Sequence, residues 1–259
     1  MANRLFIYLL FIVCMQGACL LVPAGVTATG AGGGADFLND DFYDEKGIET
    51  REISDPLEPL NRVVFDVNDK MYIWVMEPLA SMYSHVVPLD LRGCIDNFFW
   101  NLAEPVRFVN TLLQGRFTDA GNVLLRFVIN STGGVYGLGD PAGREFNLSK
   151  VVATMGGTFA TWGIGDGFYL VVPLHGPSTL RDFTGTVIDG FGMTPYYTWT
   201  DDLYVQGAVY TGKATNSLSM HLGEYEKLKD VLFDPYISFR NGYMQLRREK
   251  PDFRSSDPD

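Results

Sequence analysis

The sequence predicts a mostly α-helical fold in one irregular domain with little strand. Two observations lead to this prediction. Apolar residues recur at helical spacing in several separate segments, and between residues 92 and 182 the chain is interrupted every few residues by Gly, Pro, Asn or Asp. No stretch of that region has the roughly 20 uninterrupted apolar residues that a membrane span requires. Helices joined by tight turns can instead present apolar faces to acyl chains.

The N-terminus has the pattern of an export signal. Residues 1–28 begin with a short basic region and continue as an apolar run. One processing site is Cys19, whose thiol would receive a lipid, although Gln16 stands where lipoprotein signals usually carry an aliphatic residue. A second is the small-x-small sequence at residues 26–28. An uncleaved anchor is the third alternative.

Composition divides the rest of the chain into three parts. Residues 29–54 are rich in Gly, Ala and acidic residues, which predicts a flexible acidic tether. Residues 55–250 form the predicted helical domain, and residues 251–259 a polar tail. The net charge of -11 argues against nucleic-acid binding and against simple electrostatic docking on anionic lipid.

The first predicted helix begins at Asp55, a candidate N-cap followed by Pro56 at the first helical position. It ends near Glu77, because the residue before a proline is disfavoured in the helical region. Its apolar residues recur at helical spacing and predict an amphipathic helix; they are Leu60, Val63, Val64, Val67, Met71, Trp74 and Val75.

The next patterns predict a run of helices and a glycine-rich loop. Apolar spacing at residues 95–102 is broken around Pro105 and resumes to residue 113, which indicates a kink or a helix pair. A further helix follows Thr118 as candidate cap. Residues 133–143 contain too much glycine for a regular helix and predict a structured loop.

The second half of the chain predicts one short strand and three helices. Residues 170–173 suit the strand. A helix follows Ser178 as candidate cap, another runs over residues 216–232, and the last opens at Asp234 and Pro235.

Catalytic and metal-binding patterns are absent from the sequence. Ser178 lies in a segment that fails the nucleophile-elbow pattern at its last position. The three histidines lie far apart, with no Cys or carboxylate at zinc-site spacing: His85, His175 and His221. We therefore expect no enzyme activity, no cofactor and no metal.

Several short blocks follow one another along the domain. They cover residues 55–62, 97–105, 109–115, 126–134, 139–142, 163–169, 173–182 and 234–236. In this order they resemble the VacJ family, also called MlaA lipoproteins. Each block alone is weak evidence for this family, but so many blocks in the same order are not expected by coincidence.

The resemblance implies a location and a function. Members of this family sit in the outer membrane of Gram-negative envelopes, at its periplasmic face, as a helical disc that is often docked against a porin. They remove phospholipid that has strayed into the outer leaflet and pass it through a central channel to a soluble periplasmic carrier. The expected result is maintained lipid asymmetry.

A channel for phospholipid needs polar lining, because a charged headgroup in hydrocarbon costs several kcal/mol. Our candidates for the lining are Asn61, Arg62, Asn97, Asn101, Asn110, Gln114 and Asn130. Such side chains are also common as caps and loop ties, and Arg62 and Arg126 could pair with Glu104 or Asp140 inside the fold. Candidate gating loops contain Gly133, Gly139, Gly163, Gly165 and Gly167.

Two other functions remain as alternatives. One is a structural lipoprotein that organises porins without moving lipid. The other is a lipid-cleaving enzyme, which the missing nucleophile elbow disfavours.

Overall fold

The computed structural model describes residues 55–190 and 202–249. Most of these residues are helical, which confirms the predicted mostly α fold in a single domain. The predicted export signal with Cys19, the acidic tether and the polar tail lie outside the described residues.

The first half of the domain is entirely helical. Its elements are α1 (Glu58–Met71), a π-helical turn (Tyr72–Met76), α2 (Glu77–Val86), α3 (Leu89–Leu102), α4 (Glu104–Leu113) and α5 (Phe117–Thr132). The predicted break at Pro105 is therefore a helix pair, because Pro105 occupies the first turn of α4, where its missing N–H is not needed.

The second half adds a small hairpin to shorter helices. Its elements are α6 (Pro141–Arg144), α7 (Met155–Thr161), β1 (Tyr169–Val172), β2 (Gly176–Thr179), α8 (Leu180–Ile188), α9 (Leu203–Ser219), α10 (Glu224–Asp230) and α11 (Pro235–Glu249). The two strands pair antiparallel, with Tyr169 opposite Thr179 and Val172 opposite Gly176. The predicted strand at residues 170–173 is thus confirmed, and its partner β2 was missed.

Helices α1 and α2 form one continuous rod, so the predicted end near Glu77 is wrong. The π-helical turn joins them, and the amide N of Glu77 donates to the carbonyl of Tyr72, five residues earlier. This widened turn accommodates Pro78, whose ring would clash with the carbonyl four residues earlier in a regular helix. Asp55 is not the N-cap either, because the helix begins at Glu58.

Three other predicted boundaries differ from the structure. Helix α5 begins at Phe117 without a side-chain cap, so Thr118 does not cap it. The hydroxyl of Thr179 caps α8, whereas Ser178 lies within β2. The single helix predicted over residues 216–232 is in fact two helices, the end of α9 and the whole of α10. The helix is interrupted before Gly223, which has a φ of +78°. The predicted start of α11 is confirmed, and the Asp234 carboxylate accepts a hydrogen bond from the amide of Ile237.

The interior is unusually polar for a helical domain. Among the described residues, as many polar as apolar side chains are buried. The apolar clusters are small: one joins Tyr72, Ala80, Leu218 and Tyr225, and the other joins Tyr169, Val171, Tyr236 and Met244. Apolar burial alone therefore does not account for how these helices are held together.

Candidate functional site

A long apolar stripe faces outward along the α1–α2 rod. Its most exposed members are Trp74 (72%), Met82 (70%) and Val86 (81%). Most members are three or four residues apart, which places them on one side of the rod; the stripe consists of Leu60, Val63, Val67, Trp74, Val75, Leu79, Met82 and Val86. An exposed apolar surface of this extent marks contact with a membrane or a protein partner.

Helix α5 carries a second outward apolar face. Phe117, Leu124, Leu125 and Val128 are exposed along the helix. The loop that follows continues this surface, because Val135 and Tyr136 are also exposed. Within residues 55–190 and 202–249, none of the helices combines the length and the apolarity that crossing a bilayer requires.

The inward face of α5 holds a buried ion cluster. Arg126 Nη2 donates to Asp140 Oδ1 at 2.8 Å, and Arg126 Nε lies 3.7 Å from Glu104 Oε1. Asn130 Nδ2 donates to the same Asp140 oxygen at 2.9 Å, and Asn130 Oδ1 accepts from the amide of Ala142. Arg126 also donates to the carbonyl of Leu148. The predicted internal pairing of Arg126 with Glu104 and Asp140 is therefore confirmed.

The pKa values of the two carboxylates in this cluster are shifted in opposite directions. Burial raises the pKa of Glu104, although Arg107 and Arg126 oppose the shift. Burial would also raise the pKa of Asp140, but hydrogen bonds from Arg126, Asn130 and the amide of Gly143 outweigh it and lower that pKa. Asp140 thus stays ionised opposite Arg126.

Four of the candidate lining residues are buried and form hydrogen bonds that connect other elements of the fold. Asn61 donates to the carbonyl of Tyr169 and accepts from the amide of Val171, which fixes α1 to β1. Asn110 Nδ2 donates to Asp189 Oδ1 at 2.9 Å, and Gln114 donates to Thr158 Oγ1 at 3.2 Å. In α3, Asn101 Nδ2 donates to Ser131 Oγ, at the end of α5, at 2.9 Å.

Asn130 is also buried, in the ion cluster, and the remaining two candidates are partly exposed. Arg62 pairs with Glu58 at 2.9 Å and with Asp234 at 3.1 Å, rather than with Glu104 or Asp140. Asn97 is half-buried on α3, one turn before Asn101. The structure thus distributes the seven candidates among separate networks, and channel lining stays a prediction for each.

The first candidate gating loop is held in a strained conformation. Val135 and Tyr136 both adopt positive φ angles, 54° and 56°. Gly137, at φ +89°, packs so closely on Asn101 that a Cβ there would lie 2.6 Å from that side chain. Gly133 and Gly139 flank this turn. Strain of this kind persists where surrounding contacts impose it.

The second candidate loop is exposed. Gly163 and Gly167 have positive φ angles, and a Cβ at Gly163 or Gly165 would meet no atom within 4 Å. This loop is anchored where Arg181 Nη1 meets Asp166 Oδ1 at 2.7 Å. Glycine is therefore favoured at position 163 by its positive φ angle, and not by a lack of space for a side chain.

The last helix is attached by a repeated Tyr and Arg pair that the sequence analysis missed. Tyr236 and Arg240 both donate to the buried carboxylate of Asp55. Two turns later, Tyr243 donates to Asp182 at 2.8 Å, and Arg247 lies 2.9 Å from it. The signal was present, since Tyr and Arg are four residues apart in both pairs and the pairs are seven residues apart, which places them on one face.

No cluster of three His, Cys, Asp or Glu side chains suited to a metal occurs within residues 55–190 and 202–249. What the described structure does contain is a helical body with apolar side chains outside and hydrogen-bonded polar side chains inside. This arrangement is typical of α-helical proteins whose exposed apolar outer surface binds a membrane or a protein partner.

The chain belongs to the MlaA lipoprotein family, whose sequence model matches residues 53–250. It is 32% identical over 205 residues to the intermembrane phospholipid transport system lipoprotein MlaA of Escherichia coli, covering 77% of this chain and 79% of that protein. Identity to the Haemophilus influenzae protein of the same name is 30%, with 76% and 80% covered. An uncharacterised Rickettsia bellii protein is 32% identical, with 82% and 84% covered.

A solved structure shares this fold. It comes from work on the structural basis for maintenance of bacterial outer membrane lipid asymmetry, and it matches with a TM-score of 0.65 and 30% identity. The match covers 74% of this chain and 96% of the solved chain. The resemblance seen in the sequence blocks is therefore confirmed.

Proposed function

We propose that this protein is the outer-membrane component of a phospholipid transport system that maintains lipid asymmetry. The observation that carries the proposal is the outward apolar stripe on α1–α2, combined with a buried polar interior. Apolar side chains on the outside are stable in contact with acyl chains, and a polar interior is what a headgroup requires. Membership of the MlaA family supports the same function.

In this proposal the protein lies in the inner leaflet with its polar surface toward the periplasm. Exposed Asn241 and Gln245 lie on the outer side of α11 and suit water. The outward apolar faces of the rod and of α5 suit acyl chains and a porin wall. A soluble carrier would receive the phospholipid at the polar side, and Cys19 would supply a lipid anchor.

The test is genetic and chemical. A deletion strain is expected to accumulate phospholipid in its outer leaflet, measured by access of an external phospholipase to intact cells. The wild-type gene should restore the barrier. Normal outer-leaflet phospholipid in the deletion strain would instead favour a structural role beside porins.

The lining candidates differ in how cleanly they can be tested. Asn110 and Asn61 are buried ties, so an apolar replacement would disturb the fold before it reported on transport. Asn97, which is half-buried, is the better probe. Asn97→Leu is expected to reduce phospholipid removal in a deletion strain, while Asn241→Leu on the exposed side of α11 should restore it fully. Equal restoration by both, at equal protein levels, would remove Asn97 from the lining.

The two glycine loops are our candidates for a gate at the channel mouth. Cysteines at Gly139 and Gly165, in a Cys94→Ser background, would report whether the loops meet. Disulfide formation that blocks phospholipid removal, and restoration by a reductant, is the expected result. Cross-linked protein with unaltered transport would contradict the gate.

A further inference from the structure

Two cations converge on the ring of Trp100. The guanidinium carbon of Arg107 lies 3.8 Å from the ring centroid, and the ammonium nitrogen of Lys150 lies 4.8 Å from it. Both distances end at the same ring centre, so the two charges lie within about 9 Å of each other. These two cations lie close together although the chain as a whole carries a net charge of -11.

Contacts with α3 and α4 fix the position of Arg107. Its Nη1 donates to the carbonyl of Trp100 at 2.8 Å and lies 3.5 Å from Glu104 Oε2. The indole Nε1 of Trp100 donates to the other Glu104 oxygen at 2.8 Å. The carboxylate is fully buried, whereas the Arg107 side chain is 14% exposed. Glu104 therefore lies deeper in the fold than Arg107 and orients the guanidinium from its buried side.

A second carboxylate near Arg107 is already engaged. Asp189 interacts electrostatically with Arg107, and its oxygens accept hydrogen bonds from Asn110 Nδ2 at 2.9 Å and from the amide of Met155 at 2.8 Å. Like Glu104, it belongs to the hydrogen-bonded interior. Trp100, Arg107 and Lys150 are all partly exposed, so an anion can reach them.

We propose that Lys150 and Arg107, held over Trp100, bind the phosphate of a phospholipid headgroup. Phosphate oxygens accept charge-assisted hydrogen bonds from both cations. The indole offers an apolar flank to the glycerol and the first methylenes. Trp100 adjoins Asn101 and lies one turn from Asn97, so the site borders the proposed lining. This inference rests on the proposed function and adds the chemistry by which a headgroup is recognised.

The experiment compares two lipids with the same acyl chains. Purified full-length protein is equilibrated with detergent micelles that contain equal amounts of phosphatidylglycerol and diacylglycerol. The lipids retained after gel filtration are then counted by mass spectrometry. Wild-type protein is expected to prefer phosphatidylglycerol, Lys150→Met to lower that preference about tenfold, and Lys150→Arg to preserve it. Thermal unfolding confirms that the variants are folded.

Each other outcome contradicts a stated part of the inference. Equal preference in wild type and Lys150→Met would overturn the phosphate site while leaving the transport function intact. Retention of neither lipid by wild type would overturn the function and the site together. Inorganic phosphate that stabilises lipid-free wild type and Lys150→Arg, but not Lys150→Met, and leaves phosphatidylglycerol in place would assign the cations to free phosphate rather than to a headgroup.

Discussion

The outward face of the α1–α2 rod and the interior behind it have the reverse of the usual composition. The rod exposes Trp74 and Val86, whereas the interior buries Arg126 and Glu104, each 1% exposed. A domain in water gains most of its stability by the opposite arrangement. In the proposed function acyl chains cover the outer surface, whereas hydrogen bonds between buried polar side chains position the helices inside. Each of the following variants tests one side of this contrast.

The largest expected effect comes from the interior. Arg126→Met leaves Glu104 and Asp140 without their shared buried cation, and breaking a buried pair costs about 3–5 kcal/mol of unfolding free energy. Denaturant unfolding in detergent measures it. The control is Arg62→Met, whose side chain is 40% exposed in its ion pairs and which should lose less than about 1 kcal/mol. Equal losses would contradict a special role for the buried ties.

The outer surface should respond to charge. Val67→Asp places a carboxylate in the exposed stripe of α1, which is expected to cost roughly 2 kcal/mol of membrane affinity, or about thirtyfold. Flotation of reconstituted protein with phospholipid vesicles measures the bound fraction. Gln245→Asp, on the exposed side of α11, is the matched control and should float as wild type does. If both variants behaved alike, the assignment of the rod to lipid would fail.

The ion cluster also predicts a pH dependence. The pKa of Asp140 is lowered in the folded protein, so its ionised form stabilises the fold above the unfolded pKa of about 3.9, and this contribution is lost as pH falls through the folded value. Asp140→Asn should therefore be less stable than wild type by about 1.5 kcal/mol at pH 7. The difference should shrink toward pH 3. A gap that stays constant with pH would contradict the ionised pairing, and the control Asp66→Asn, at an exposed position, should keep wild-type stability at pH 7.

The smallest expected effect concerns the attachment of α11. Tyr243→Phe removes one hydrogen bond to Asp182 and should cost about 1 kcal/mol. Hydrogen exchange of the α11 amides should increase more than that of α5. Tyr204→Phe, at a residue that is 89% exposed, is the control and should have no effect. Unchanged exchange in Tyr243→Phe would show that Arg247 alone holds this end of the helix.

The sequence predicted the helices and the family better than it predicted what each polar residue does. Apolar spacing revealed the amphipathic helix at Leu60 and Val63, and the ordered blocks identified the family. Asp55 was misassigned, since spacing cannot show that its carboxylate meets Tyr236 and Arg240 of the last helix. The same limit applies to Asn61, whose bonds to β1 join residues more than a hundred positions apart. Local sequence patterns predict helices and strands, whereas hydrogen bonds between distant elements can be identified only in the folded structure.

If the protein is a conduit for phospholipid, it should retain that lipid when it is taken out of the membrane. Protein extracted gently from its native outer membrane would be analysed by mass spectrometry for retained lipids. Intact glycerophospholipid is expected in near-stoichiometric amount, enriched over the bulk membrane. Lipid without enrichment over bulk membrane, or lyso products in place of intact phospholipid, would contradict this expectation.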